Sequence, residues 1–151
     1  MASTSSPDVE YLDSILRGEL AAIETYDQVL EKFQGKLTST DLIKVRDEHK
    51  EHITLLNQQI VKFGGTPSTT SGTWGTFTGA VTSVAKLIGP ETALAALKQG
   101  EEHGIGQYEK ALERKDLSAE TMATIRTKLL PQSQSHVASL NRIISAHAAA
   151  S

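Results

Sequence analysis

The sequence predicts an all-α fold, a bundle of four long helices made from two related hairpins, and three observations lead there. Apolar residues recur at steps of three and four along four separate segments, which is the spacing of one helix face. Aromatic residues are only 5% of the chain, so the interior has to be filled by Leu, Ile, Val and Ala, as helical bundles fill theirs. The chain also repeats itself: RGELAAIETYDQVLE at 17–31 and QGEEHGIGQYEKALE at 99–113 agree at six of fifteen positions, where about one is expected by chance.

The first helix, about 8–34, follows a polar tail at 1–7 in which Ser6 supplies the N-cap and Pro7 the first turn. Its stripe is Leu12, Ile15, Glu19, Ile23, Tyr26, Leu30 and Phe33, and Gly35 offers a left-handed stop. Thr38, Ser39 or Thr40 can cap the second helix, about 41–63, with the stripe Leu42, Val45, Glu48 or His49, His52, Leu56, Ile60 and Phe63, ended by Gly64 and Gly65. From Gly65 to Pro90 the chain turns to Thr, Ser and Gly, too long for a tight hairpin. This stretch reads as a crossover, and Trp74, Phe77, Val81, Val84 and Ile88 predict a short extra helix at 76–88 within it.

Pro90 and Glu91 open the third long helix, about 91–115, with Leu94, Leu97, Glu101, Ile105, Tyr108 and Leu112 on one face. Ser118 caps the fourth, about 119–147, whose stripe is Met122, Ile125, Leu129, Gln132, His136, Leu140 and Ile143. Pro131 interrupts it and is expected to kink the helix and free a carbonyl one turn back. The whole of 8–147 reads as one domain, consistent with a length of 151 residues.

A net charge of -3 leaves no basic surplus for phosphates or anionic lipid, so nucleic acid and membrane surfaces are excluded as expected partners. With no Cys, a metal could be held only by carboxylate, imidazole or water. The opening MASTSSPD lacks a basic start and an apolar stretch, and the expectation is a cytoplasmic protein.

The second members of the two hairpins match as well: EHKEHITLLNQQI at 48–60 and QSQSHVASLNRII at 132–144 share His, Leu, Asn and Ile. The repeat therefore pairs Glu19 with Glu101, Tyr26 with Tyr108, and His52 with His136, all on otherwise apolar stripes. An ionised carboxylate inside a bundle costs several kcal/mol unless it is protonated, paired or bound to a cation. A divalent cation held by Glu19, Glu48, His52, Glu101 and His136 satisfies both residue types, and that ligand set suits iron, manganese or zinc. Tyr26, Tyr108 and Gln132 are expected to bond to the ligands. Gln132 stands where the repeat would place a second Glu48, so one carboxylate of a full two-metal set is missing. His49, three residues from His52, could chelate an ion on one helix face, but the expectation places it on the solvated side of the charged DEHKEH turn, with His103 and His147 at the surface. Gly18, Gly100, Gly104 and Gly106 beside the core Glu residues imply either close helix approach or room for a ligand.

Glu19 and Tyr26, seven residues apart, resemble the Glu and Tyr of the ferritin and bacterioferritin group. Over nearly its whole length the chain resembles an uncharacterised ferritin-like bacterial family, a domain of unknown function, with RGELAAIETYDQVLE, the TSSGTWG crossover and the EEHG segment as marks. The resemblance implies a ferritin-like fold with iron as the first-ranked metal and brings no established activity with it; the first functional expectation is a metal-binding protein with ferroxidase or other oxygen-related activity at this Glu and His site. Ferritin-like two-iron sites use Glu-x-x-His on two helices, whereas here His49 precedes His52 and Ser133 precedes His136 at that spacing. The competing expectation is a non-catalytic bundle in which the same residues form a metal-free polar layer, and which assembles with itself or a partner through the crossover helix and its exposed faces.

Overall fold

The computed structural model describes residues 6–37, 39–72 and 88–150, and every regular element among them is helical. Four rods form the bundle. Helices α1 (Pro7–Lys32), α2 (Ser39–Lys62) and α3 (Gly89–Ala111) are continuous. The fourth rod is α4 (Ala119–Thr124), a π-helical turn (Ile125–Leu129) and α5 (Leu130–Ala150) in succession. The expected short helix at 76–88, apart from its last residue Ile88, together with Trp74 and the capping position Thr38, lies outside the described residues.

Local chemistry sets the helix ends. Ser6 has extended backbone, and its Oγ accepts from the Val9 N–H at 3.2 Å, with Pro7 filling the first turn. Gly35 and Gly64 are both left-handed, at φ 80 and 87. After α2 the Gly65 N–H donates to the Ile60 carbonyl at 2.9 Å and the Gly64 N–H to Val61 at 3.0 Å, the paired bonds of a Schellman stop. Gly65 must also be small, because a Cβ there would stand 2.6 Å from Val9 Cγ1. Ser118 Oγ accepts from the Thr121 N–H at 3.2 Å and caps α4.

Side-chain pairs fix the direction of each rod. Asp27 pairs with Arg46, and Glu19 with His52, so α1 and α2 are antiparallel. Tyr26 bonds to Glu101 and Tyr108 to Glu19, which makes α1 and α3 antiparallel neighbours too. Glu101 with His136 and Glu91 with His147 reverse α5 against α3. The closest packing is α1 on α2 and α3 on α5, and it follows that α2 and α3 run the same way. The chain between two such parallel rods has to travel the length of the bundle, about 36 Å for a helix like α2 at 1.5 Å per residue. The start of the crossover does so along α1: Gly65 lies against Val9, the Ser68 N–H donates to Asp13 at 2.8 Å, and the Ser71 hydroxyl donates to Glu24 at 3.2 Å.

The interior divides into two apolar halves. One holds Val29, Phe33, Leu42, Val45, Leu94, Leu97, Leu140 and Ile143. The other holds Leu12, Leu16, Leu56, Ile60, Ala111, Ile125 and Leu129. Pro131 does disturb the regular helix, and the form of the disturbance is a π-helical turn. The π turn stands just before it, with the Leu130 N–H reaching back to the Ile125 carbonyl. The physical reason is that a proline ring clashes with the carbonyl four residues earlier, and a widened turn relieves that clash without breaking the rod.

Asp8 ties the two ends that meet at one pole. Its carboxylate accepts from the Ser118 N–H at 3.0 Å, the Ser118 hydroxyl at 2.7 Å and the Thr121 hydroxyl. Burial opposes its charge, but the bonds from Thr121 and Ser118 outweigh that and lower its pKa from the ordinary 3.8. Asp8→Ala is expected to cost about 1–3 kcal/mol in urea denaturation at pH 7. Because the native pKa is depressed, that contribution is present above pH 3.8 and lost as pH falls through the native value, so wild type and variant should converge in acid.

Candidate metal centre

Between the two apolar halves lies a polar layer to which every rod contributes. Glu19 and Tyr26 come from α1, His49 and His52 from α2, Glu101 and Tyr108 from α3, and His136 from α5; all seven are buried. At 3.6 residues per turn, the three-residue step from His49 to His52 and the seven-residue steps from Glu19 to Tyr26 and Glu101 to Tyr108 keep each pair on the inward face.

His49 is the hub. Its Nδ1 contacts Glu19 Oε2, and its Nε2 lies 2.7 Å from Glu101 Oε1. The expectation of a solvated His49 is therefore corrected, for this residue is only 3% exposed. The charged turn splits by face: Asp47, Lys50 and Glu51 meet water while His49 and His52 turn inward, where the two carboxylates compensate their burial. The spacing of His49 and His52 was the sequence signal for it.

Around the hub the bonds are reciprocal. Tyr26 donates its hydroxyl to Glu101 Oε1 at 2.9 Å, and Tyr108 donates to Glu19 Oε1 at 3.0 Å. His52 Nδ1 lies 3.2 Å from Glu19 Oε1, and His136 Nδ1 lies 3.4 Å from Glu101 Oε2. The outer nitrogens face the edge of the layer. His52 Nε2 meets Gln132 Oε1, and Gln132 Nε2 donates to Glu48 Oε2 at 3.4 Å. His136 Nε2 is buried without a hydrogen-bond partner, and Glu48 Oε1 is 3.7 Å away. Glu48 itself is half-buried at the rim. His103 is exposed, and His147 is half-buried against Glu91 at 3.0 Å.

The electrostatics follow from this packing. For Glu101 burial opposes ionisation, yet the charge of His49 and the hydrogen bonds from His136 and His49 prevail and hold the carboxyl at about 2. Burial likewise opposes charge on Glu19, and His49 followed by His52 drives its pKa below the ordinary carboxylate range. His49 is the mirror case: burial disfavours the imidazolium, but Glu101 and Glu19 raise its pKa well above the usual value. Glu19 does the same for His52 against burial. Burial first, then the carboxylates they bond, push Tyr26 and Tyr108 upward, so both remain hydroxyl donors.

Two sets of ligating atoms arise, Glu19 with His49 and His52, and His49 with Glu101 and His136, each with its atoms within 4.8 Å of one another. These buried Glu and His groups could hold a metal ion. Gly18, Gly100 and Gly104 line a cavity of about 20 Å³ with Glu19, His49, Glu101, Tyr108 and Ser133, where absent side chains leave space beside both carboxylates. On another side an open cavity of about 280 Å³, lined by Glu51, His52, Leu55, Thr127, Lys128 and Gln132, reaches His52 from solvent. Among the described residues, no helix is long and apolar enough to cross a membrane.

The chain belongs to the family described as a domain of unknown function, DUF2383, whose model matches residues 9–114. That span carries Glu19, Glu48, His49, His52 and Glu101 and stops short of Gln132 and His136. No curated protein and no solved structure matches the chain.

The pH dependence of the metal-free protein follows by sign. The Glu19 and Glu101 contributions are present above the ordinary carboxylate value of 4.5 and lost as pH falls toward about 2 for Glu101. The His49 and His52 contributions are present below 6.5 and lost as pH rises through their elevated native values. Melting temperature in chelator is therefore expected to peak between pH 4.5 and 6.5 and to fall on both sides. His49→Gln should flatten the alkaline fall.

Proposed function

We propose that this chain is a ferritin-like metal-binding protein that holds a divalent transition metal in its core, with iron first and manganese or zinc as the other candidates. In this reading residues 8–147 form one domain of two copied hairpins. Glu19, His49, His52, Glu101 and His136 are the ligands. Glu48, expected as a ligand, takes an outer place with Gln132, and together with Tyr26 and Tyr108 they orient the ligands. The observation that carries the reading is the convergence of two carboxylates and three imidazoles, all buried, in a layer where ligating atoms stand within 4.8 Å. The reciprocal Tyr26–Glu101 and Tyr108–Glu19 bonds support the copied hairpins.

The mixed carboxylate and imidazole set is of the intermediate softness that iron, manganese and zinc share. Bound iron would supply one-electron chemistry with oxygen, and Fe(II) oxidation is the activity proposed. The chain's own part is to fix the carboxylates by tyrosine donors and to keep the apolar halves dry on either side. The cavity beside His52 gives an ion a way in, and the glycine-lined space beside Glu19 and Glu101 is large enough for about one water.

A second reading has an observation of its own. With a proton on each ring nitrogen, His49 bonds to Glu19 and Glu101 at once and neutralises part of the layer without an ion. In that case the layer fixes helix register and the bundle serves as an interaction module.

Metal binding separates the two. At 100 times the dissociation constant a ligand adds about 2.7 kcal/mol of stability, and each kcal/mol raises the melting temperature of a domain this size by about 2–4 °C. Fe(II) under anaerobic conditions, Mn(II) or Zn(II) is therefore expected to raise it by about 5–10 °C. Glu101→Ala should weaken uptake far more than Glu102→Ala, whose side chain is exposed. An unchanged melting temperature with all three ions would leave only the metal-free layer.

A further inference from the structure

The two sets of ligating atoms have one residue in common, and the way it is shared is informative. His49 presents Nδ1 to Glu19 and Nε2 to Glu101, so a single ring spans the gap between the carboxylates. The lone pairs of the two nitrogens diverge in the ring plane, and one ion cannot take both. Each side then offers a second imidazole nitrogen: His52 Nδ1 at 3.2 Å from Glu19 and His136 Nδ1 at 3.4 Å from Glu101. Two atoms bonded to one ion at about 2.1 Å with a tetrahedral angle stand about 3.4 Å apart. Both separations are those of atoms that can share an ion.

The outer nitrogens complete the pattern. A metal-bound imidazole usually donates its other N–H to a carboxylate or carbonyl oxygen, which fixes its orientation. His52 Nε2 faces the Gln132 carbonyl oxygen, and His136 Nε2 faces the Glu48 carboxylate at 3.7 Å, beyond hydrogen-bond reach. His136 Nε2 is thus a buried polar atom with no hydrogen bond, and a shift of its ring toward Glu48 of under 1 Å would give it one.

We propose that His49 is a bridging ligand between two divalent transition-metal ions, one at each ring nitrogen, with Glu19 and His52 completing one half and Glu101 and His136 the other. This rests on the metal-binding function proposed above. As the two metal–nitrogen bonds form, both ring protons of His49 leave to solvent, and no atom changes oxidation state. Two dications then meet two carboxylates and one imidazolate. His49 stands three residues before His52, the place where ferritin-like sites carry the Glu of Glu-x-x-His.

Copper(II) tests this, because it binds such ligands most tightly among the first-row dications and its unpaired electrons report on each other through a shared imidazolate. The chain would carry His103→Ala and His147→Ala to remove the imidazoles outside the layer. It would be titrated with copper, passed through a desalting column, and measured for copper content and electron paramagnetic resonance intensity. The expected result is two retained copper ions per chain, with full intensity at the first equivalent and intensity well below one spin per copper at the second. His49→Gln, checked for retained helix by circular dichroism, should give full intensity for whatever copper it holds. One retained copper at full intensity, two at full intensity, or coupling that survives His49→Gln would each overturn the bridge while leaving metal binding in place. Retention of no copper would overturn metal binding itself. If His49→Gln fails to fold, the spin count of the parent chain decides alone.

Discussion

Two carboxylates in the middle of a bundle have to be reconciled with their surroundings, and in this protein one ring does most of it. His49 touches both Glu19 and Glu101, which come from neighbouring antiparallel helices. Each buried carboxylate left alone would cost several kcal/mol. With His49 between them, and with Tyr108 and Tyr26 donating to one each, the layer becomes a set of charge-assisted hydrogen bonds in a low-dielectric interior, where such bonds are strong. The apolar halves on either side keep water away from it, and so the layer and the core support each other.

That arrangement depends on the order in which the rods are placed. Because α1 is antiparallel to both α2 and α3, its Glu and Tyr meet a His from one neighbour and a Tyr and Glu from the other. The same choice obliges the chain after α2 to climb back along α1, held by Asp13 and Glu24. The fourth rod must then deliver His136 to the layer despite Pro131. The π turn at Ile125–Leu129 accommodates the proline and lets Ile125 and Leu129 pack below the layer while His136 enters it.

The layer is buried but not sealed. Where Gly18, Gly100 and Gly104 omit side chains, a small cavity adjoins both carboxylates, and beside His52 a larger one opens to solvent past Gln132. The glycines that weaken helix propensity by about 1 kcal/mol each thus line the space beside the charged groups. Of the two alternatives posed from the sequence, room beside the site is the one that the cavity lining at Gly18, Gly100 and Gly104 supports. Gly106 by contrast has open space around it and takes no part.

The sequence by itself determined the four long helices, several of their end residues and most of the residues that face inward, because these follow from local periodicity and short-range chemistry. Ser6, Gly35, Gly64 and Ser118 act as their types suggest, and Glu19, His52, Glu101 and His136 all lie on inward faces. The tertiary structure alone decided which inward residue stands at the centre. His49 and Glu48 are adjacent in the sequence, and the stripe from Val45 to His52 accommodates either, since steps of three then four and four then three are equally helical. Only the approach of Glu19 and Glu101 from two other helices makes the His49 position the compensated one and leaves Glu48 at the rim. Pro131 shows the same division: its disruption of the helix is written in its ring, but the π turn at Ile125–Leu129 that accompanies it is seen only in the structure.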